Sequence, residues 1–569
     1  MIDKLTHWLN RESSSITVAA LLLAAASFAA DILGLVRDRV LASQFGAGEV
    51  LDIYYAGFRI PDLLLNILIL GAMSSAFLPV FADRFVKSKD DAWRFASNLL
   101  TLAALGLIAC AGILYVLVPW LLPFIVPGFD SSQTERAIAI TRILLLSPIL
   151  FGLSSIVSAI LHFSQRFFFY SLAPILYNFG IILGAVIFAP RFGEIGLAFG
   201  VVLGAMLHLG IQIPAVRASG FRFRAILRPV HAAVYETVHL AIPRTANLVV
   251  NQLQFTALTA LASVFAVGSI AVFNFGMNLA FVPIGVIGIS FATAAFPILS
   301  RSHAQGDPMM FARTLRQTAQ EILFFALPAA ALLLVLRAHI VRVVLGSGAF
   351  TWEDTRLTAA VLGALALGVI AMALLPLLVR AFFAQKDTVT PFLVSFVAAV
   401  GTVVLALGLS AGLSATPSFH NAIGTIFRVQ DLPDIRVLAL PVAMTILATL
   451  QAAALLTALS LRGLRGEVRR LAGAAARMTL VAVVSGAVTW GVLQMLAEGV
   501  VQETFIGIFL QGVTAGIIGI LVYLVLASLF AFPEFVRFLR ILRRSIPPLG
   551  RVVDVLDVGS AEKKYPDDL

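Results

Sequence analysis

The sequence predicts an all-α polytopic membrane protein with fourteen transmembrane helices: two six-helix lobes related by a parallel internal repeat, plus a C-terminal helix pair. Three observations carry this. Hydrophobic residues fill 60% of the 569 positions and charged residues only 12%, which leaves no room for a separate soluble domain. The basic residues behind the net charge of +10 lie in short loops between apolar runs and alternate from side to side. Glycines and polar residues recur at an offset near 220.

Apolar spans fall at about 15–45, 49–82, 95–125, 135–161, 168–189, 193–215, 240–265, 269–299, 314–345, 356–380, 389–413, 437–461, 475–497 and 504–531. The opening residues have a basic lead, an apolar core and small residues, as a signal peptide does. A retained first span fits better, because the apolar run continues past Asp31 and the loop alternation needs it.

Basic loops hold Lys4 and Arg11, then Arg84, Lys87, Lys89 and Arg94, then Arg166, and so on to Arg537, Arg540, Arg543 and Arg544. The intervening loops are short and neutral or acidic, with Asp130, Glu135, Glu498 and Glu503; the loop with Arg337, Arg342 and Arg356 fits least well. The positive-inside rule then puts both termini in the cytoplasm. Charge in this setting points to anionic lipid, and a nucleic-acid partner is disfavoured.

Gly128, Arg136, Gln165 and Arg166 recur as Gly348, Arg356, Gln385 and Lys386, and Gly48 recurs as Gly268. An even number of spans per half makes the repeat parallel, as in alternating-access transporters. The chain therefore divides into an N-lobe at 1–218 and an amphipathic cytoplasmic linker at 219–239. A C-lobe begins at 240 and runs to 436, its last helix reaching about 461. A helix pair at 475–531 and a cytoplasmic tail at 532–569 complete it. The loop from Ser414 to Arg436 is the longest external connection.

The functional signal is concentrated in the first hairpin. Its apolar residues are interrupted by Asp31, Arg37, Asp38, Arg39, Asp52, Arg59 and Asp62, and ionisable groups at membrane depth face a protein interior or a watered pathway. With the turn at Gly46-Ala-Gly48, Arg37 and Arg59 both lie about 15 Å below it. Asp31 and Asp62 match at a deeper level. Asp52 and Arg59 are seven apart, hence on one face, and Asp62 neighbours Arg59. Pro61 kinks the second helix beside these charges. Pro283 is its loose counterpart in the second lobe, and the two are hinge candidates. The plainer reading is a set of internally neutralised ion pairs that fix helix packing.

Other chemistry is missing from the sequence. There is no phosphate-binding glycine loop, nucleotide fingerprint or zinc helix. One cysteine, Cys110, excludes a disulfide framework. No catalytic residue, metal ligand set or cofactor is expected, although a coupling cation or the membrane potential is compatible with the hairpin carboxylates. A membrane enzyme using Asp31, Asp38 and Asp62 to bind metal, and a non-transporting scaffold, are the competing classes.

The segments GLVRDRVLASQFGAGEVLDIYYAGFRIPDLL, GAMSSAFLPVF, LHFSQRFFFYSLAPILYN, FVPIGVIGISFATAAFPILS and GAFTWEDTRLTAA resemble the MurJ (MviN) lipid II flippases of the multidrug/oligosaccharidyl-lipid/polysaccharide exporter superfamily. The resemblance covers essentially the whole chain. It implies two six-helix lobes around a central cavity, a last helix pair forming a lipid-tail groove, and a monomer of the bacterial inner membrane. It also implies translocation of lipid II, an undecaprenyl-diphosphate-linked glycopeptide, to the outer leaflet by alternating access. The alternatives are a flippase for another polyprenyl-linked glycan and an antiporter of the same superfamily.

By position, Arg37 and Asp38 match the family's Arg-Asp pair, Asp52 its acidic residue after the turn, and Arg59 its basic residue before the proline. The resemblance makes Arg37, Arg59, Asp38, Arg39, Arg244 and Asn278 candidates for substrate binding, and Asp31, Asp52 and Asp62 candidates for gating or coupling. Members often carry further cavity arginines where this chain has Asp31, Leu65 and Asn278. The seven hairpin charges sum to −1 (three Arg, four Asp). Either Arg244, from outside the hairpin, compensates, or the headgroup differs.

Overall fold

The computed structural model describes residues 16–66, 77–228, 232–497 and 504–545, with side chains from 25–66, 77–166, 168–228, 248–497 and 504–540. Among the described residues it is all helical, without strands. The first lobe runs α1 (Ile16–Phe45), α2 (Glu49–Gly57), α3 (Arg59–Leu65), α4 (Phe77–Lys87), α5 (Lys89–Ile125), α6 (Ser131–Leu144), α7 (Leu146–Phe163), α8 (Phe167–Leu183), α9 (Ala189–Phe192), α10 (Ile195–Gly210) and α11 (Gln212–Ala218). The second runs α12 (Ala232–Ser263), α13 (Ser269–Pro283), α14 (Ser290–Ala304), α15 (Pro308–Val344), α16 (Trp352–Ala384), α17 (Val389–Ala415), α18 (Pro417–Phe427) and α19 (Ala439–Leu459). The chain continues with α20 (Arg465–Ala497), α21 (Phe505–Leu529) and α22 (Pro533–Ser545).

A helix lies at every predicted span. Among the described residues, ten helical stretches are long and apolar enough to cross a membrane, and the stretch Arg436–Ala497 takes in two predicted spans. Residues 67–76 of the second span, and the tail beyond 545, lie outside the described residues. Polar caps mark where the helices begin. Asp130 with Gln133 and Thr351 with Asp354 form capping boxes at α6 and α16, each satisfying amides that have no partner inside the helix. Ser88, Asp307 and Thr504 cap α5, α15 and α21.

Two connections differ from expectation. The loop after Ser414 contains α18, which starts at Pro417, a residue already held at a helical φ. The linker is irregular over 221–228 and straps onto α5: Arg228 N donates to Asn98 Oδ1 at 2.8 Å, and Asn98 Nδ2 donates to the Arg228 carbonyl at 3.0 Å. Residues 232–239 belong to α12.

The repeat is visible in the backbone and carries a one-residue slip. Ser43 packs on Gly348 and Ser263 on Gly128, both relations holding at 220. The capping boxes at Asp130 and Thr351 are 221 apart, so one residue is inserted after Gly348. The slip persists to the next turn, where Gln165 and Lys386 are the left-handed residues, at φ 54° and 62°. Arg136 and Arg356, Gln165 and Gln385, and Arg166 and Lys386 are therefore each one residue out of structural register.

Packing differs between the two ends. At the end away from the basic loops, one core takes Leu51, Ile53 and Ile140 from the first lobe and Ile270, Phe275 and Val361 from the second. At the basic end the lobes keep separate cores. One contains Phe77, Phe81, Ile156 and Phe221; the other contains Leu323, Phe382, Leu455 and Met478. Helix α12 links them, packing on α3, α4 and α5 as well as on α17. The lobes share one core at the far end and keep separate cores, bridged by α12, at the basic end.

Candidate functional site

The polar residues of α2 and α3 line the join between the lobes. The helix is interrupted at Phe58, three residues before Pro61, whose missing N–H leaves the Gly57 carbonyl without its helical donor. Asp52, Arg59 and Asn66 follow at intervals of seven, which places them on one stripe two turns apart. Every member of the stripe reaches the second lobe.

Asp52 accepts hydrogen bonds from Gly268 N at 2.6 Å and Ala271 N at 2.8 Å. It caps α13 from the opposite lobe, where the helix dipole favours a carboxylate. Arg59 Nη2 donates to Asn274 Oδ1 at 3.0 Å. Asn66 Nδ2 donates to Gln252 Oε1 at 3.1 Å and to the Asp62 carbonyl at 2.8 Å.

A second layer is built on Arg37. Its Nε and Nη2 donate to Asp38 Oδ1 at 2.9 and 2.7 Å, and its Nη1 donates to Asn178 Oδ1 on α8 at 3.0 Å. The other carboxylate oxygen of Asp38 accepts from Asn278 Nδ2 at 3.0 Å. The chain Asn178–Arg37–Asp38–Asn278 therefore runs from one lobe to the other with its charges balanced. The Arg37 side chain keeps 23% of its surface exposed while Asp38 keeps 4%, so the cation is the accessible member.

Arg59 stands differently. Among the described residues no carboxylate lies within 4 Å of its guanidinium, and its buried Nε has no hydrogen-bond partner. Tyr55 Oη and Gln252 Nε2, on the same join, are also buried and unpartnered. Buried polar groups are ordinarily satisfied, so three orphans in one region mark where a polar group from outside could enter. Arg59, unlike Arg37, makes no direct ion pair; the Asp62 carboxylate, three residues along, acts on it only across a distance.

The remaining sequence candidates fall elsewhere. Arg39 donates to the Val343 carbonyl at 2.6 Å and lies over the Phe505 ring; it ties α1 to the C-terminal end of α15 and does not join Arg37 and Arg59. Asp31 is exposed and Asp62 half-buried, and neither forms an ion pair with a described residue. Asp31, Asp38 and Asp62 are not gathered for a metal; among the described residues no cluster of metal-ligating side chains occurs. The Arg244 side chain lies outside the described residues. Leu65 is half-buried at the end of α3. Pro283 ends α13 and is followed by a π-helical turn, Ile284–Ile289, a feature that bends helices where they work.

The shared-core end is closed by main chain. Ala349 N donates to the Ser43 carbonyl at 2.8 Å, and Gly128 N to Ser263 Oγ at 3.1 Å. A Cβ on Gly128 or Gly348 would overlap the carbonyl oxygen of Ser263 or Ser43, and one on Gly268 would overlap that of Ala47. Gly268 also holds φ 90°, open to glycine at little cost. Around this closure Arg136 pairs with Glu49 and with Glu194, at 2.6 Å to the latter, and Arg356 with Asp431 at 2.6 Å.

Sequence reasoning did not single out Asn66, Asn178, Gln252 or Asn274. The interval of seven from Asp52 through Arg59 would have exposed Asn66. The other three are amides in apolar helices, and only the packed structure says what they meet.

A family model described as "Lipid II flippase MurJ" matches residues 41–510. The chain is 29% identical over 437 residues to "Probable lipid II flippase MurJ" of Thermotoga maritima, covering 74% of this chain and 87% of that one. To the protein of the same description from Vibrio cholerae it is 28% identical over 493 residues, covering 84% and 89%. Among solved structures, "Lipid II flippase MurJ, inward closed conformation" superposes with a TM-score of 0.71 at 23% identity, over 90% of this chain and 98% of that one. An inward-facing multidrug resistance MATE family transporter superposes with a TM-score of 0.59 at 14% identity, over 78% and 96%. These two likenesses speak for the fold.

Proposed function

The chain belongs to the lipid II flippase MurJ family, and from that premise we propose that it carries lipid II from the cytoplasmic to the outer leaflet of the bacterial inner membrane. It is a transporter, not an enzyme. The observation that carries this reading is Arg59: a buried guanidinium with no direct carboxylate partner, on the join between lobes that share a core at one end and keep separate cores at the other.

On this reading the basic end is the cytoplasmic one, and the headgroup enters there, between the two separate cores. A diphosphate wants several charge-assisted donors. Arg59 supplies donors not engaged by a carboxylate, and Arg37 can turn an accessible edge toward the same anion while Asp38 keeps Asn278. The polyprenyl tail stays in lipid beside α20 and α21. Outward opening then requires the contacts of Asp52, Arg59 and Asn66 with the second lobe to part, and a ligand drives this only if it binds the two states unequally. The proline-linked breaks at Phe58 and after Pro283 are where the helices bend. A proton or cation on Asp31, Asp52 or Asp62 is the candidate coupling step, anionic lipids surround the basic loops, and the transporting unit is one chain with both termini in the cytoplasm.

The test is rescue of a bacterium depleted of its own lipid II flippase. Wild type restores growth, and Arg59→Ala at equal membrane abundance does not. No rescue by well-expressed wild type transfers the assignment to another polyprenyl-linked glycan.

A further inference from the structure

A charged cavity lies outside the inter-lobe join and shares none of its residues. It occupies about 420 Å³ at the basic end, between the start of α15, the start of α20 and the turn joining α21 to α22. That volume suits a small ligand or a headgroup. Four arginines line it, Arg316, Arg470, Arg477 and Arg537, against one carboxylate, Glu534.

The cavity is held in shape by its own ion pairs. Glu467 receives Arg316 at 2.6 Å and Arg470 at 2.9 Å, and Arg316 also donates to Gln320 at 3.0 Å. Arg537 meets Glu321 at 3.1 Å and Glu534 at 3.5 Å. Ala531, at φ 48°, turns the chain so that α22 closes the cavity, with Phe532 N bonded back to the Ala527 carbonyl at 3.0 Å. A non-glycine residue in that conformation is strained, and Phe532, Phe535 and Leu539 pack into the core beside it.

These pairs leave positive charge over. Among the described residues, and counting the two carboxylates just outside the lining, Glu321 and Glu467, four cations face three anions. Arg477 is exposed and makes no hydrogen bond or ion pair with a described residue. Its helix face continues into lipid-facing apolar surface: Leu480 and Val484, three and seven residues on, are 63% and 41% exposed. A cation at the mouth of a basic cavity, above an apolar stripe of the same helix, is complementary to an anionic amphiphile.

We propose that this cavity is a binding site for the phosphate of an anionic phospholipid of the cytoplasmic leaflet, with Arg470 and Arg477 as principal donors, Arg316 and Arg537 behind them, and acyl chains along Leu480 and Val484. The site is separate from the Arg37–Arg59 region and does not depend on what that region carries.

The test uses the purified full-length protein in neutral detergent, titrated with phosphatidylglycerol, phosphatidylcholine or inorganic phosphate and read by native mass spectrometry. Wild type retains phosphatidylglycerol about tenfold or more tightly than phosphatidylcholine. Arg470→Gln/Arg477→Gln lowers that preference by about tenfold or more, a scale of about 1 kcal/mol per surface arginine. Arg465→Gln/Arg469→Gln removes the same charge from exposed positions outside the lining and leaves the preference intact; both variants are compared at matched thermal stability. Equal loss in the two pairs, or no preference in wild type, overturns the site. Full competition by inorganic phosphate overturns the lipid assignment in favour of a soluble phosphate ligand.

Discussion

The two lobes share a backbone plan but not a chemistry. The hairpin of α1, α2 and α3 and its repeat partner in α12 and α13 place a glycine before the second helix and offer a serine carbonyl to a glycine of the other lobe. Yet at the fixed offset of 220, Asp31, Arg37, Asp38, Arg39, Asp52, Arg59 and Asp62 correspond to Asn251, Ala257, Leu258, Thr259, Val272, Leu279 and Val282. Every hairpin charge singled out in the first lobe has a neutral counterpart. On the proposed mechanism the repeated part is what rocks, and the unrepeated part is what recognises the substrate. The second lobe answers with neutral acceptors and donors: Asn274, Asn278, Gln252 and the amides of Gly268 and Ala271.

This contrast can be broken most severely at Arg59. Arg59→Ala is expected to lower transport by roughly tenfold to a hundredfold, as loss of a charge-assisted bond of about 1.5–3 kcal/mol implies. Adding Leu279→Arg, which moves the cation to the equivalent place in the other lobe, does not restore it. Restoration, measured as lipid II reaching the outer leaflet, would show that side does not matter.

Next comes Asp52. Asp52→Ala removes both bonds to α13 and weakens the closed end by about 1–3 kcal/mol, with Asp52→Asn costing less. In a Cys110→Ser background, a cysteine placed at Ser43 becomes more reactive to an impermeant maleimide added from outside. Unchanged labelling would mean that the cap does not hold the lobes together.

The glycines sharpen the symmetric half of the comparison. Gly128→Ala and Gly348→Ala each force a methyl against a carbonyl of the opposite lobe, a strain of about 1–3 kcal/mol. The two should raise outside labelling alike, and a large inequality would deny that the repeat-related contacts are equivalent.

The smallest effect sits at the basic-end turn between α16 and α17. Burial alone would raise the Asp387 carboxyl, but hydrogen bonds from Thr390 and Arg462 outweigh it and hold the pKa at about 2, below the usual 3.8. A depressed carboxylate stabilises the fold above its ordinary pKa, and that contribution fades as pH falls from 3.8 toward 2. Asp387→Asn should therefore lower stability near neutral pH by under about 1 kcal/mol, since the pair lies at the surface with the Arg462 side chain 39% exposed. The difference in melting temperature should vanish near pH 2.

Helix positions were legible because apolar runs of span length admit few other structures in lipid. The charged hairpin was legible because ionisable groups stand out in such runs. Partnership was not. The sequence treats Arg37 and Arg59 as twins equidistant from a turn, whereas Asp38 occupies one and no carboxylate reaches the other. Arg39 reads as another member of the cluster, yet its heading on α1 sends it to Val343. Inserting one residue after Gly348 leaves identical letters at Gln165 and Gln385 while moving the left-handed position to Lys386, and identity in sequence cannot report such a slip.

The closure at Ser43, Gly128, Ser263 and Gly348 sets backbone against backbone, with only serine hydroxyls between. A seal of this kind tolerates changes of charge or polarity nearby but has no spare thickness. A wedge no wider than a single methyl, whether encoded or delivered by a small molecule from the external medium, is enough to prop it ajar.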